Sequence, residues 1–158
     1  MEKVLKSVRP QLRSIQDISY QVWILQDQIL IEVPRKHHMT PVTIALISCQ
    51  HVETLVKDRG NPVYLRLNEL KLCLMCAKVR EQPALQLKMS DIMDLYDEPK
   101  PVKLFLFYHS QSGRSSTFES VAFPGWFIAV SSEGGCSVIL TQELGKADTT
   151  DFGLTMLS

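Results

Sequence analysis

The stretch FESVAFPGWFIAVSSEGGCSVIL, Phe118 to Leu140, reads as two short apolar strands, each entered through a turn. Pro124-Gly125 precedes the first strand and Glu133-Gly134-Gly135 leads into the second, residue types that favour reversal of the chain. Between them Trp126, Ile128 and Val130 alternate, as do Val138 and Leu140. Nothing in the stretch resembles a catalytic site. It is a scaffold segment, and a protein built on such a scaffold works through its surface and loops.

Outward from that segment, period-two alternation recurs along the whole chain. Ile18, Tyr20, Val22 and Ile24 would share one face, then Ile29 to Val33, and Val42, Ile44 and Leu46. Val63, Leu65 and Leu67 follow, with Tyr64 and Arg66 expected to point away. Next come Leu72, Leu74 and Cys76, then Leu85, Leu87 and Met89. Leu104, Leu106 and Tyr108, the run Phe118 to Phe123, and finally Phe152, Leu154 and Met156 bring the count to about eleven strands. Turn signals separate them at Asp58-Arg59-Gly60-Asn61-Pro62, Asn68-Glu69 and Gln111-Ser112-Gly113. Only Ser90 to Tyr96 reads as helical, with Ser90 as its cap and Ile92, Leu95 and Tyr96 on one face. The expectation is an all-β domain. Spacing alone suits a sandwich as well as a small barrel.

Residues 1–14 stand apart, mixing charge, Ser7, Pro10 and Gln11 without periodicity, and are expected to be a flexible tail ahead of a single domain over 15–158. Lys3, Lys6, Arg9 and Arg13 against Glu2 give that tail a net charge of +3. The whole chain of 158 residues balances 17 basic and 17 acidic side chains and is 45% hydrophobic. A neutral chain lacks the basic excess that nucleic acid or an anionic membrane requires. Its apolar runs are strand-sized, too short to span a bilayer, and Val4-Leu5 is too short for a signal-peptide core. Synthesis in the cytosol is therefore expected.

Cys49, Cys73, Cys76 and Cys136 read as buried thiols. Cys73-x-x-Cys76 lies in a strand-like run, where residues three apart face opposite sides of a sheet, and no second ligand pair completes a zinc set. Asp91, Asp94, Asp97 and Glu98 lack the Gly and terminal Glu of a calcium loop. Among His37, His38, His51 and His109 none pairs with a nucleophile in a recognisable motif, and no Gly-rich phosphate loop exists. No catalytic residue, cofactor or metal is expected. Gln21-x-Trp23 has the form of a sugar-binding repeat of lectin trefoils, but it occurs once.

Phe118-x-Ser120-Val121-x-x-Pro124-x-x-Phe127-Ile128-Ala129, with Val138 downstream, resembles the signature of the interleukin-1 cytokine family, except that Val130 stands where the pattern has Thr. Val22-Trp23-x-Leu25-Gln26, Val33-Pro34-Arg35, Asn61-Pro62-x-Tyr64-Leu65, Ile92-Met93-Asp94-Leu95-Tyr96 and Phe105-Leu106-Phe107-Tyr108 are similar to the interleukin-36 branch, from about Ile15 to the C-terminus. The resemblance implies a twelve-stranded β-trefoil acting as a monomer. It implies a pro-inflammatory ligand that binds the interleukin-36 receptor, recruits the interleukin-1 receptor accessory protein, and activates NF-kappa-B and MAP-kinase signalling after release without a signal peptide.

The resemblance also implies proteolytic activation about nine residues before an aliphatic-x-Asp motif. Ile15-Gln16-Asp17 fits, and nine back is Lys6, so a serine protease is expected to leave a chain starting there. By the same analogy Arg35, Lys36 and the mature N-terminus meet the first receptor, while Asn68, Glu69, Lys71, Lys146 and Asp148 meet the accessory protein. A receptor antagonist of the same family is the alternative, against which the sequence from Glu143 to Lys146 counts; a carbohydrate- or heparin-binding trefoil is the alternative from another class. Glu69 and Arg80 sit where the family pattern has Gly, so strain is expected if either backbone needs positive φ.

Overall fold

The computed structural model describes residues 8–17, 19–67, 70–130, 137–142 and 150–156. It contains twelve strands: β1 Gln11–Asp17, β2 Gln21–Gln26, β3 Ile29–Pro34, β4 Thr43–Ser48, β5 Asn61–Leu67, β6 Leu72–Val79, β7 Gln82–Met89, β8 Leu106–Ser112, β9 Ser115–Ser120, β10 Phe127–Val130, β11 Val138–Thr141 and β12 Phe152–Met156. Helix α1 spans Ile92–Asp97.

Six strands close on themselves. β1 pairs β4, β4 pairs β5, β5 pairs β8, β8 pairs β9, β9 pairs β12, and β12 returns to β1, all antiparallel. Closure removes the open edge that a flat sheet would expose. The other six strands form three hairpins, β2–β3, β6–β7 and β10–β11, which join the same end of the barrel and touch one another through β11. A six-stranded barrel capped at one end by three hairpins is a β-trefoil.

Each signature residue has a structural task. Phe118 is fully buried in the barrel core with Trp23, Phe107 and Phe152. The Ser120 hydroxyl accepts from the Phe123 backbone N–H at 3.0 Å, and the Ser120 N–H donates to the Trp126 carbonyl at 2.8 Å. Between them Glu119, 6% exposed, takes the Gly125 N–H at 2.7 Å and the guanidinium of Arg59. Side chains and backbone together fold the Pro124-Gly125 turn back onto β9. That explains why a strand-turn-strand stretch with no reactive group carries the fold.

A second apolar cluster lies outside the barrel wall. Ile47, Tyr64, Leu106 and Tyr108 project from the outer faces of β4, β5 and β8 and are covered by Leu55 and by Ile92 and Leu95 of α1. Tyr64, expected to point away from the core, is thus 1% exposed; its hydroxyl accepts from the Val102 N–H at 3.1 Å. Strands buried on both faces carry continuous apolar runs, as Ile44 to Ile47 and Leu106 to Tyr108 do, and such runs hide the alternation; Leu104, expected on the same strand face, instead lies in a helical turn before β8 and is exposed.

Three further expectations are corrected. The expected tail extends to residue 14, yet Gln11 to Ser14 belong to β1, held between β4 and β12 by backbone pairing that needs no apolar pattern. This is the strand missing from the alternation count. Asp91, not Ser90, caps α1, its carboxylate accepting from Met93 N–H at 3.0 Å. Met89, assigned to a buried face, is 76% exposed at the end of β7.

Two hairpins turn without glycine. Val79 pairs Gln82, leaving Arg80 (φ 51°) and Glu81 (φ 69°) as a two-residue turn; Asp27 (φ 51°) and Gln28 (φ 65°) do the same between β2 and β3. Both central residues are left-handed, the conformation that prefers Asn-Gly. The strain expected at Arg80 is therefore present, while Glu69 falls outside the described residues. Substituting Arg80→Asn with Glu81→Gly should stabilise the protein by about 1–2 kcal/mol, seen as a rise of roughly 2–4 °C per kcal/mol in Tm. An unchanged or lowered Tm would show the turn to be unstrained.

Candidate functional site

The barrel end away from the hairpins is open. Its mouth is a cavity of about 650 Å³ bordered by Arg9 and Arg13, by Leu46 to Cys49 at the end of β4, and by His109 and Gln111 of β8. Arg13 donates to the Gln11 side chain at 2.8 Å and to the Leu12 carbonyl at 2.9 Å. His109 shares a hydrogen with Ser116 Oγ at 2.8 Å and stacks on Phe118 at 4.9 Å. Burial, then the neighbouring Arg13 charge, holds its imidazole below the ordinary value. Val8 and Arg9 form part of this wall, so the chain enters the barrel here.

A second concave surface, about 670 Å³, lies among the hairpins between Ile29, Leu30, Lys71, Leu72, Leu87 and Met89. Ile29 (56% exposed), Leu70 (44%) and Met89 (76%) present apolar side chains around Lys71. Clustered exposed apolar groups of this kind mark contact surfaces. Alternation assigned Met89 to the interior, so the sequence reading missed this patch; the signal is only that apolar residues end their strands beside polar turns.

The expected site residues distribute as follows. Arg35 and Lys36 are exposed just after β3. Lys71 is exposed at the edge of the hairpin cleft, its carbonyl accepting from Ser90 N–H at 2.9 Å. Asn68, Glu69, Lys146, Asp148 and Lys6 lie outside the described residues. Ile15 and Asp17 are not surface residues at all: Ile15 is 2% exposed in the core, and Asp17, 6% exposed, takes the N–H groups of Ser19 and Gln21 at 2.8 and 2.9 Å. In the folded body this motif anchors β1.

Chemistry is muted elsewhere. Cys73 and Cys76 sit in the two different clusters, on opposite faces of β6, and burial pushes their thiols up to about 11 and about 12. Such thiols stay protonated and make poor nucleophiles or ligands. Among the described residues no group of three or more His, Cys, Asp or Glu is placed to hold a metal, and no helix is long and apolar enough to cross a membrane. Trp23 is 1% exposed and offers no face to a sugar ring.

Comparison with known proteins accords with this geometry. The family model for interleukin-1 / 18 matches residues 39–154. Human interleukin-36 alpha is 78% identical over 157 residues, 99% of each chain, and the mouse protein of that name is 53% identical over 156 residues, covering 99% of this chain and 98% of its own. The solution structure of the pro-inflammatory cytokine interleukin-36alpha, 78% identical, superimposes with a TM-score of 0.80 over the whole of both chains. A chicken interleukin-1 hydrophobic-cavity mutant, 26% identical, also gives 0.80 over 93% of this chain and 96% of its own. A non-enzymatic β-trefoil whose signature residues serve only to hold the scaffold, with these relatives, belongs to the interleukin-1 family of cytokines, in its interleukin-36 branch.

Proposed function

We propose that this chain is an agonist ligand of the interleukin-36 receptor that recruits the interleukin-1 receptor accessory protein and activates NF-kappa-B and MAP-kinase signalling. The observation that carries the reading is the 78% identity, over essentially full length, to interleukin-36 alpha. Release proceeds without a signal peptide. Arg35, Lys36 and the mature N-terminus meet the first receptor; Lys71, with Asn68, Glu69, Lys146 and Asp148, meets the accessory protein. Exposed Ile29, Leu70 and Met89 beside Lys71 support the second contact, because apolar anchors supply most affinity while rim charges mainly steer association.

Activation follows from trimming by a serine protease to start at Lys6. Among the described residues regular structure begins at Gln11, and Val8 and Arg9 just before it line the barrel mouth, so a tail extended from there would meet a partner seated on it. Reporter cells bearing both receptor chains provide the test. The Lys6-start protein should act at a concentration at least about tenfold lower than the full chain, equivalent to about 1.4 kcal/mol of recovered binding. Superimposed dose curves would remove the trimming step. Silence from both forms, combined with inhibition of another agonist, would identify an antagonist instead.

A further inference from the structure

Of the six methionines, Met1 lies outside the described residues, and Met39, Met75 and Met93 are half-buried. Met89 and Met156 stand out at 76% and 70% exposed. They occupy opposite ends of the barrel. Met156 lines the open mouth, whereas Met89 ends β7 on the rim of the hairpin cleft, among Ile29, Leu70, Leu72 and Leu87. A thioether reacts through its sulfur lone pair and needs no deprotonation, so access decides which methionine is oxidised. Thiols follow a different rule, because the thiolate is the reactive form. Cys49, Cys73 and Cys76 are buried, and burial keeps Cys73 and Cys76 protonated. Among the described residues, oxidation is thus directed to methionine sulfur and away from cysteine.

The backbone around Met89 is fixed. Met89 pairs with Leu72 across the hairpin, Ser90 Oγ donates to the Met89 carbonyl at 2.8 Å, and the Ser90 N–H donates to the Lys71 carbonyl at 2.9 Å. The Met89 side chain belongs to neither apolar cluster. A change at its sulfur therefore alters the surface and leaves the fold undisturbed.

We propose that Met89 is a reversible oxidation site, which hydrogen peroxide converts to the sulfoxide, turning the rim of the hairpin cleft from apolar to polar. The sulfur lone pair attacks one peroxide oxygen; an S–O bond forms as the O–O bond breaks, and the second oxygen leaves as water. Sulfur gives up an electron pair and the peroxide takes it. A thiol-dependent methionine sulfoxide reductase reverses the change, its thiols becoming a disulfide while the oxygen leaves as water. The sulfoxide oxygen is a hydrogen-bond acceptor, and the side chains of Ile29, Leu70 and Leu72 offer it no donor. A partner closing an apolar surface over it strands a polar group. Oxidation at this sulfur weakens recruitment of the accessory protein and spares binding of the first receptor. That consequence rests on the contact placement proposed above, whereas the oxidation site itself does not.

Treating the full chain with hydrogen peroxide, then digesting it and mapping the peptides by mass, tests the site. Met89 and Met156 should gain oxygen before Met39, Met75 and Met93, with Tm unchanged. Half-buried methionines reacting as fast as Met89, or a Tm that falls in step with Met89 oxidation, would overturn it. Reporter cells bearing both receptor chains read the consequence, as treated against untreated protein for the parent, Met89→Leu and Met156→Leu. The parent and Met156→Leu should each lose about tenfold or more in potency on treatment. Met89→Leu should lose little, whatever its starting potency, and the reductase should restore the parent. An oxidised parent of full potency, or a Met89→Leu protein that loses as much as the parent, would overturn the switch. Silence from every untreated protein would remove the receptor reading and the switch with it, while the mass map still decides the oxidation site.

Discussion

Gly60→Ala should cost about 3–5 kcal/mol, a large part of the roughly 5–15 kcal/mol that holds a domain of this size together. Gly60 has φ 127° and ψ −174°, a region essentially closed to residues with a Cβ, where strain alone amounts to about 1–3 kcal/mol. Space is closed as well. A Cβ there would stand 2.7 Å from the His109 carbonyl oxygen and 2.9 Å from its carbon, both backbone atoms. Asn61, the next residue, pairs with His109, so relief requires prising β5 from β8 and opening a seam of the barrel. Equilibrium urea unfolding measures the loss. A variant within about 0.5 kcal/mol of the parent, the range of ordinary surface changes, would mean that the seam yields freely and that the close approach matters little.

Trp23→Ala should destabilise by a similar 3–5 kcal/mol, for a different reason. The side chain is 1% exposed, packs edge-on against Phe152 with centroids 5.2 Å apart, and donates to Glu32. Removing it leaves a cavity in the barrel and takes from Glu32 the donor that lowers its carboxyl value. Trp23→Phe separates the two losses. It keeps most of the volume and should cost only about 1–3 kcal/mol through the missing N–H. Denaturation of both variants at pH 7 checks the order. Equal losses for Ala and Phe would assign the whole effect to the hydrogen bond and none to packing.

Much of the architecture was legible because its signals are local. Alternation located eleven of the twelve strands, and Cys73 and Cys76 fell on opposite faces as strand geometry requires. β1 escaped because its first residues are polar; the pairing that makes them a strand comes from β4 and β12, remote in sequence. Tyr64 and Met89 were misplaced for the reverse reason. Alternation describes one buried face, whereas β5 is covered on both sides and β7 runs out into solvent at its end. Of the residues that the family resemblance led us to expect at receptor contacts, Arg35, Lys36 and Lys71 are exposed, as charged residues in loops commonly are. The apolar patch around Lys71 was not visible, since it is assembled from β3, β6 and β7.

Residue order by itself established an all-β cytokine scaffold, a neutral surface, an absence of catalytic motifs and the family signature. Each is a property of a few neighbouring residues, where periodicity, turn chemistry and charge act directly. The closed barrel, the glycine that β8 forbids to change and the second apolar cluster outside the barrel wall were decided only by the tertiary structure. Burial and close approach between distant segments create them, and no window of sequence contains both partners at once.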